Sequence, residues 1–206
     1  MKIVKDIDNG KLQSAYAIGD FRQTKENLAS EDYRIISLEE QSRLRIQSSI
    51  NADISTFGNW VREGVIYVPR KGVFLTKNSP IMDEQPKRRI KASDGIFYIN
   101  RSQVESALAG SVKLAGGEIP TNRFGEDERT VFAFGENAEP YGKFLRRNEI
   151  KSLPVFIANL REKPFTTQIW FGSVNKEHRS EFLGSWNYNI SRHSIRGVCD
   201  RVRGIR

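Results

Sequence analysis

Residue types that build disulfides and metal sites are nearly missing from this chain. It has one cysteine, Cys199, and two histidines, His178 and His193. A single cysteine excludes an intrachain disulfide framework and a cysteine-cluster zinc site. Two histidines exclude a histidine-rich metal centre, so we expect no bound metal of these kinds. A magnesium ion held by carboxylates alone stays open.

Long apolar runs are missing as well. No stretch approaches the roughly 20 residues that a membrane-spanning helix needs. The first ten residues also lack the apolar core of a signal peptide, so we expect a cytoplasmic protein without membrane contact. There is no Walker loop, no dinucleotide glycine fingerprint and no Gly-x-Ser-x-Gly elbow, and we expect no cofactor.

What the chain does have is enough apolar material for a core and an excess of positive charge. Its 206 residues are 38% hydrophobic and 10% aromatic, which predicts one folded domain over residues 1–206. The formal net charge is +8. A positive balance of this size favours anionic partners, with nucleic acid before an acidic membrane surface.

The positive charge is densest at the end of the sequence. Residues 192–206 hold five arginines, among them Arg192, Arg196 and Arg203, against one acid, Asp200. His193 lies inside this run and titrates near neutral pH. The segment is either a solvated basic tail or a surface that binds a polyanion and acts on it.

Three further basic clusters lie between predicted strands, and aromatic residues lie near them. Such patches suit phosphate contacts and stacking on bases, so duplex DNA is the expected partner. The candidate nucleic-acid-binding residues outside the basic C-terminal run are Arg70, Lys71, Arg88, Arg89, Arg146, Arg147 and Trp186.

Strand patterns predominate, which predicts an α+β fold built on an antiparallel sheet with a few flanking helices. Asn9-Gly10 predicts a first hairpin, and Pro69–Gly72 predicts a second between two β-branched runs. Ser37, followed by Glu40, predicts the start of a helix. Residues 130–134 have the composition of a strand, and the stretch from Ser191 could form an amphipathic helix.

A metal-free site on nucleic acid needs a proton donor or acceptor, a carboxylate and cations that hold phosphate. Glu63 and Tyr67 alternate to one face of a predicted strand and supply a carboxylate and a phenol. His193 has a suitable pKa range, and Lys151 is a candidate amine nucleophile beside two arginines. These four are the candidate catalytic residues; for each, the alternative is an ordinary surface residue.

The length, basic character, Glu63-to-Tyr67 strand and C-terminal His193 resemble the PabI-type restriction enzymes, the half-pipe family of adenine DNA glycosylases. The resemblance implies a homodimer whose curved antiparallel sheet grips duplex DNA and flips adenines out. It implies glycosidic-bond cleavage without metal, with Tyr67 and His193 at the chemistry and Glu63 positioning the base. A lysine would then open the abasic sugar.

Two alternatives stay open beside this sequence-specific restriction-type enzyme with glycosylase and lyase activity. One is a non-catalytic nucleic-acid-binding protein, such as a phage or plasmid regulator. The other is an RNA-processing enzyme that uses the histidine and prefers substrates with a 2′-hydroxyl.

Overall fold

The computed structural model describes residues 2–8, 12–19, 21–83, 97–174, 181–184 and 193–200. Within these residues the chain has the predicted α+β fold. Its large sheet is mixed where an antiparallel one was predicted, and helices and strands take nearly equal shares. Every helix in the described part is too short or too polar to cross a lipid bilayer.

Twelve strands are present among the described residues. They are β1 (Val4–Asp8), β2 (Leu12–Gly19), β3 (Arg34–Ile35), β4 (Asn59–Val68), β5 (Gly72–Thr76), β6 (Phe97–Tyr98), β7 (Ser111–Lys113), β8 (Gly117–Pro120), β9 (Ser152–Phe156), β10 (Phe165–Phe171), β11 (Phe182–Leu183) and β12 (His193–Asp200).

Helices connect these strands in the same described residues. They are α1 (Phe21–Ser30), α2 (Leu38–Gln47), α3 (Asp53–Thr56), α4 (Pro80–Asp83), α5 (Arg101–Ala109), α6 (Glu128–Phe134) and α7 (Ala138–Arg147), with short 3₁₀ turns at Thr121–Arg123 and Gly135–Asn137.

The strands join one sheet in the order β1-β2-β12-β4-β10-β11-β9-β8. Most neighbours are antiparallel, but β11 pairs parallel with β9, and β12 pairs parallel with β4 at a single position. The long strands β4 and β10 lie at the centre, and the main hydrophobic core packs helices α2, α6 and α7 against this part of the sheet.

Both predicted hairpins are present. Strands β1 and β2 pair antiparallel, with the Asn9-Gly10 turn itself outside the described residues. Strands β4 and β5 pair antiparallel, with Val68 opposite Gly72 next to the turn. In the turn, Lys71 N–H donates to the Val68 carbonyl at 3.1 Å. Arg70 takes a positive φ of 64° in this turn, where glycine or asparagine is the usual residue.

The helix predicted from Ser37 begins as expected. The Ser37 side chain accepts from Glu40 N–H, and the Glu40 carboxylate accepts from Ser37 N–H, which forms a complete capping box.

The strand predicted over residues 130–134 is wrong, because these residues form α6. The Asp127 side chain caps that helix by accepting from Arg129 N–H, and Glu128 in the first turn suits the positive end of the helix dipole. Phe134 then packs among Phe124, Tyr141, Phe171 and Phe182. Tertiary packing therefore overrides the strand propensity of the segment.

The helix considered for the C-terminal stretch is also wrong, because residues 193–200 form strand β12. This strand lies between β2 on one side and β3 and β4 on the other. Gly197 lets the turn after α1 pack closely on β12, since a Cβ atom at Gly197 would lie 2.8 Å from Tyr33 Cβ. Residues 195–198 are all buried, so both faces of β12 are covered there, which hides the two-residue alternation.

Candidate functional site

The predicted catalytic residues do not meet at an accessible site. Glu63 is fully buried in β4, and its Oε2 accepts from the Leu38 N–H at the start of α2, at 2.9 Å. Burial raises the pKa of the Glu63 carboxyl to about 7. Glu63 therefore connects the sheet to the N-terminus of α2, inside the protein.

Tyr67 is buried too. Its hydroxyl donates to the Gly184 carbonyl at 3.0 Å and accepts from Ala158 N–H at 3.0 Å. Its ring stacks on Phe165 with the centroids 4.2 Å apart, and burial raises the pKa of the phenol. Tyr67 and Glu63 do share a face of β4, as predicted, but it is the face that packs into the core.

The two other proposed catalytic residues lie on other parts of the chain than β4. Lys151 is exposed between α7 and β9. His193 begins β12, where its backbone pairs with Gly19, and its side chain lies outside the described residues. The described residues therefore give no constellation that joins a base, a carboxylate and an amine.

Arg196, predicted to hold phosphate, is 1% exposed and pairs inside the protein. Its Nη1 lies 2.5 and 2.7 Å from the carboxylate oxygens of Asp6 and 2.7 Å from Ser14 Oγ. The guanidinium also lies over the Tyr16 ring, 5.2 Å from its centroid. This arginine joins β12 to β1 across β2 and does not reach a ligand at the surface.

The remaining predicted nucleic-acid-binding residues fall into two groups. Arg70 and Lys71 are exposed at the β4–β5 turn, and Arg146 and Arg147 are exposed at the end of α7, with Arg146 donating to the Thr121 carbonyl at 2.5 Å. Arg88, Arg89, Trp186, Arg192 and Arg203 lie outside the described residues.

An open cleft that the sequence did not indicate lies beside the two-residue strand β11, between β9 and β10. Its volume is about 460 Å³, within the usual range of small-molecule sites. We call it the Trp170 cleft. Its lining combines aromatic rings, carboxylates and glycines, chiefly Trp170, Phe156, Glu118, Glu181, Gly58, Gly117 and Gly172.

Two aromatic side chains face this cleft. Trp170 is half-buried near the end of β10, and its ring meets the edge of Trp60 with the centroids 5.4 Å apart. Phe156, at the end of β9, is 48% exposed. A large exposed aromatic ring inside a concave surface offers a rigid apolar platform for a ligand.

Glycines let the cleft side chains lie against the backbone. A Cβ atom at Gly58 would come within 2.6 Å of the Trp170 indole, and one at Gly172 would come within 2.7 Å of Glu181 Cγ. The rigid indole therefore favours glycine at position 58, whereas a Cβ atom at position 172 would displace the Glu181 side chain. A glycine next to a strand often marks such a close approach, and this is the sequence signal that could have pointed to the cleft.

The cleft also holds two carboxylates. Glu118, on β8, is exposed and accepts from Ser152 Oγ at 2.7 Å. Glu181 lies just before β11, where its carbonyl accepts from Gly172 N–H at 2.9 Å. These carboxylate oxygens can accept hydrogen bonds from the hydroxyl or amino groups of a ligand.

Arg45 fixes the backbone beneath the cleft. It is fully buried, and it donates to the Gly172 carbonyl at 2.8 Å, to the Ile54 carbonyl at 2.9 Å and to the Tyr141 hydroxyl at 3.0 Å. Its guanidinium also lies 4.3 Å from the centroid of Phe171. Arg45 therefore ties α2, α3 and α7 to the strand end that carries Gly172.

Within the described residues, no group of three or more histidine, cysteine, aspartate or glutamate side chains is arranged to hold a metal ion.

Comparison with known proteins shows the fold. No family model matches the chain, and no curated protein matches it. One solved structure matches with a TM-score of 0.67 at 13% identity. Its description reads "Accommodation of massive sequence variation in Nanoarchaeota by the C-type lectin fold". The match covers 95% of this chain and 100% of that one. The chain has the C-type lectin fold.

This match contradicts the predicted resemblance to the half-pipe glycosylases, and that prediction is wrong. The restriction-type DNA enzyme predicted with it is wrong as well, and the match supports neither a nucleic-acid regulator nor an RNA enzyme. The buried positions of Glu63 and Tyr67 give the physical reason. The expected homodimer, duplex-DNA partner, single domain and absence of a cofactor stay predictions that the structure does not test.

Proposed function

We propose that this protein binds a saccharide in the Trp170 cleft. The observation that carries the proposal is the combination, in one open cleft, of the Trp170 and Phe156 rings with the carboxylates of Glu118 and Glu181. The matched structure supports it at the level of the fold, since that protein is described by its C-type lectin fold.

The chemistry of a sugar fits this lining. A pyranose ring has an apolar face of C–H groups, which packs on an indole or phenyl ring. Its hydroxyl groups are neutral donors, and a hydrogen bond from a hydroxyl to a carboxylate is stronger than one between neutral groups. Trp170 and Phe156 would take the apolar face, and Glu118 and Glu181 the hydroxyl groups.

The side chains that line the cleft are positioned by the protein itself. Trp170 packs against Gly58 and Trp60, and Glu181 packs against Gly172. Arg45 in turn donates to the Gly172 carbonyl. A site whose side chains are already ordered loses less conformational entropy on binding.

A glycan array probed with the labelled full-length chain tests the proposal. We expect a restricted set of saccharides to bind the wild-type protein. Trp170→Ala should weaken binding of that set at least tenfold, which corresponds to about 1.4 kcal/mol. Glu118→Gln and Glu181→Gln should each weaken it several-fold, because the neutral amide oxygen that remains accepts a weaker hydrogen bond than the carboxylate does.

Matched controls separate the cleft from general effects. Tyr98→Ala removes an exposed aromatic ring that lies beside Phe165, at the other end of β10. This position is about 17 Å from Trp170 at the rise of a strand. Glu105→Gln removes an exposed carboxylate on α5. Both controls should bind as the wild type does, and thermal unfolding should show that each variant is folded. Binding that Trp170→Ala leaves intact in a folded variant would reject the proposal.

A further inference from the structure

The two aromatic residues of the Trp170 cleft lie in one row across the sheet. Trp170 of β10 pairs with Leu183 of β11, and Leu183 pairs with Phe156 of β9. Residues that lie opposite each other on neighbouring strands project from the same face of a sheet. Trp170 and Phe156 therefore share a face, and their Cα atoms are about 10 Å apart because two strand spacings separate them. We call these two residues the aromatic row.

The neighbouring row of residues points into the core. Phe171, Phe182 and Val155 are in register one position further along or back on each strand, and all three belong to the main hydrophobic core. Side chains alternate between the two faces along a strand. The aromatic row therefore points away from that core, to the opposite face of the sheet.

Among the described residues, helices cover one end of this row, and exposure increases towards the other end. Trp60 of β4 pairs with Trp170 and forms one hydrophobic cluster with Leu28 of α1 and Ile81 of α4. Trp60 is buried, Trp170 is half-buried, and Phe156 is exposed. A ligand can therefore reach both members of the aromatic row from solvent.

The two carboxylates of the cleft lie in a second row beside the first. Glu118 of β8 pairs with Pro154 of β9, and the Glu181 carbonyl accepts from Gly172 N–H at 2.9 Å. Pro154, Glu181 and Gly172 each lie two positions along the chain from a residue in register with the aromatic row, and a step of two positions preserves the face. Glu118 and Glu181 therefore project from the same face, roughly 7 Å to one side. We call them the acidic row.

Two parallel rows of this kind fit a chain of sugars better than a single sugar. One pyranose is about as wide as one aromatic ring, so it stacks on one member of the aromatic row at a time. A linear oligosaccharide of about three residues spans two strand spacings. Its hydroxyl groups would then lie over the acidic row. The cleft volume of about 460 Å³ also suits a ligand larger than one sugar.

We propose that the Trp170 cleft binds a linear oligosaccharide that crosses β10, β11 and β9, with one sugar on Trp170 and another on Phe156. This inference rests on the proposed function, to which it adds the length and the direction of the ligand. Trp170 has the larger ring and is the main platform. Phe156 contributes only to ligands that are long enough to reach β9.

Calorimetric titration of the full chain with fragments of one glycan tests this proposal. The probe is the array glycan that binds most tightly, together with its fragments of one, two and three residues. We expect the three-residue fragment to bind about tenfold more tightly than the one-residue fragment. Phe156→Ala should remove most of this gain and keep the affinity for the one-residue fragment within about twofold, whereas Trp170→Ala should weaken both.

Tyr98→Ala is the matched control, because it removes an exposed aromatic ring outside the cleft, and it should keep the wild-type dependence on length. A one-residue fragment that binds as tightly as the three-residue fragment would overturn the oligosaccharide proposal alone. An equal loss at both lengths on Phe156→Ala would do the same. If no saccharide binds, or if folded Trp170→Ala binds every fragment as the wild type does, saccharide binding in the cleft fails as well.

Discussion

At the scale of single residues, the structure assigns internal roles to side chains that the sequence suggested for chemistry. Glu63 and Tyr67 supply a carboxylate and a phenol, but both side chains are buried and hydrogen-bond to backbone groups. Their alternation along β4 was predictable, because it follows from strand geometry. The burial of both faces of β4 was not, because it depends on helices that pack from distant parts of the chain.

The first residue-scale prediction concerns the pH dependence of stability. The Glu63 carboxyl has a pKa of about 7 in the folded protein, above its ordinary value of 4.5. Between these two pH values the folded state holds a proton that the unfolded state has released. The free energy of unfolding therefore falls as pH rises from about 4.5 to 7. The expected loss is about 3 kcal/mol between pH 4 and pH 8.

Urea unfolding of the wild type and Glu63→Gln at several pH values checks this expectation. The glutamine carbonyl can still accept from Leu38 N–H, so the variant should lose most of this pH dependence and be the more stable protein at pH 8. Glu105→Gln, at an exposed position, should follow the wild type. A Glu63→Gln variant with the wild-type pH profile would contradict the assignment.

The second residue-scale prediction concerns the β4–β5 turn. Arg70 adopts a left-handed conformation, which costs a residue with a Cβ atom roughly 1 kcal/mol. Arg70→Gly should raise the free energy of unfolding by about 0.5 kcal/mol, because the relief of strain exceeds the cost of ordering a more flexible glycine. Lys71→Gly is the neighbouring control, and it should lower the free energy of unfolding. Denaturant titrations of both variants measure these changes.

At the scale of elements, β12 is held to the first hairpin by a partly buried ion pair, in which the Arg196 side chain is 1% exposed and that of Asp6 15%. Asp6→Ala leaves the Arg196 charge uncompensated and should cost about 3 kcal/mol. Replacing both partners by apolar residues, as Asp6→Val with Arg196→Met, should recover a large part of that loss. Denaturant unfolding of the single and double variants measures this; a double variant no more stable than Asp6→Ala would contradict the pairing.

The elements themselves divide into those set by local sequence and those set by packing. The hairpins and the capping box of α2 depend on neighbouring residues and were predicted correctly. Strand β12 depends on pairing with β2, β3 and β4, and α6 on the aromatic cluster around Phe134. Local patterns carry no information on such partners, and both elements were assigned wrongly.

At the scale of the whole molecule, the α+β class follows from the sequence, but the C-type lectin fold and the Trp170 cleft do not. The cleft brings together residues from β8, β9, β10 and the segments before β4 and β11. No spacing along the chain reveals that arrangement. The net charge of +8 pointed to anionic partners, yet the aromatic cleft carries two acids, so the average charge of the chain says little about this site.

The most direct measurement is an NMR titration of the ¹⁵N-labelled chain with a saccharide selected on the array, following the indole N–H signals of its three tryptophans. Trp170→Phe identifies the Trp170 signal, and Trp60, which is buried, is the internal comparison. The account predicts a saturable shift of the Trp170 signal that exceeds the shift of the Trp60 signal. A saccharide that binds without moving the Trp170 signal would contradict it.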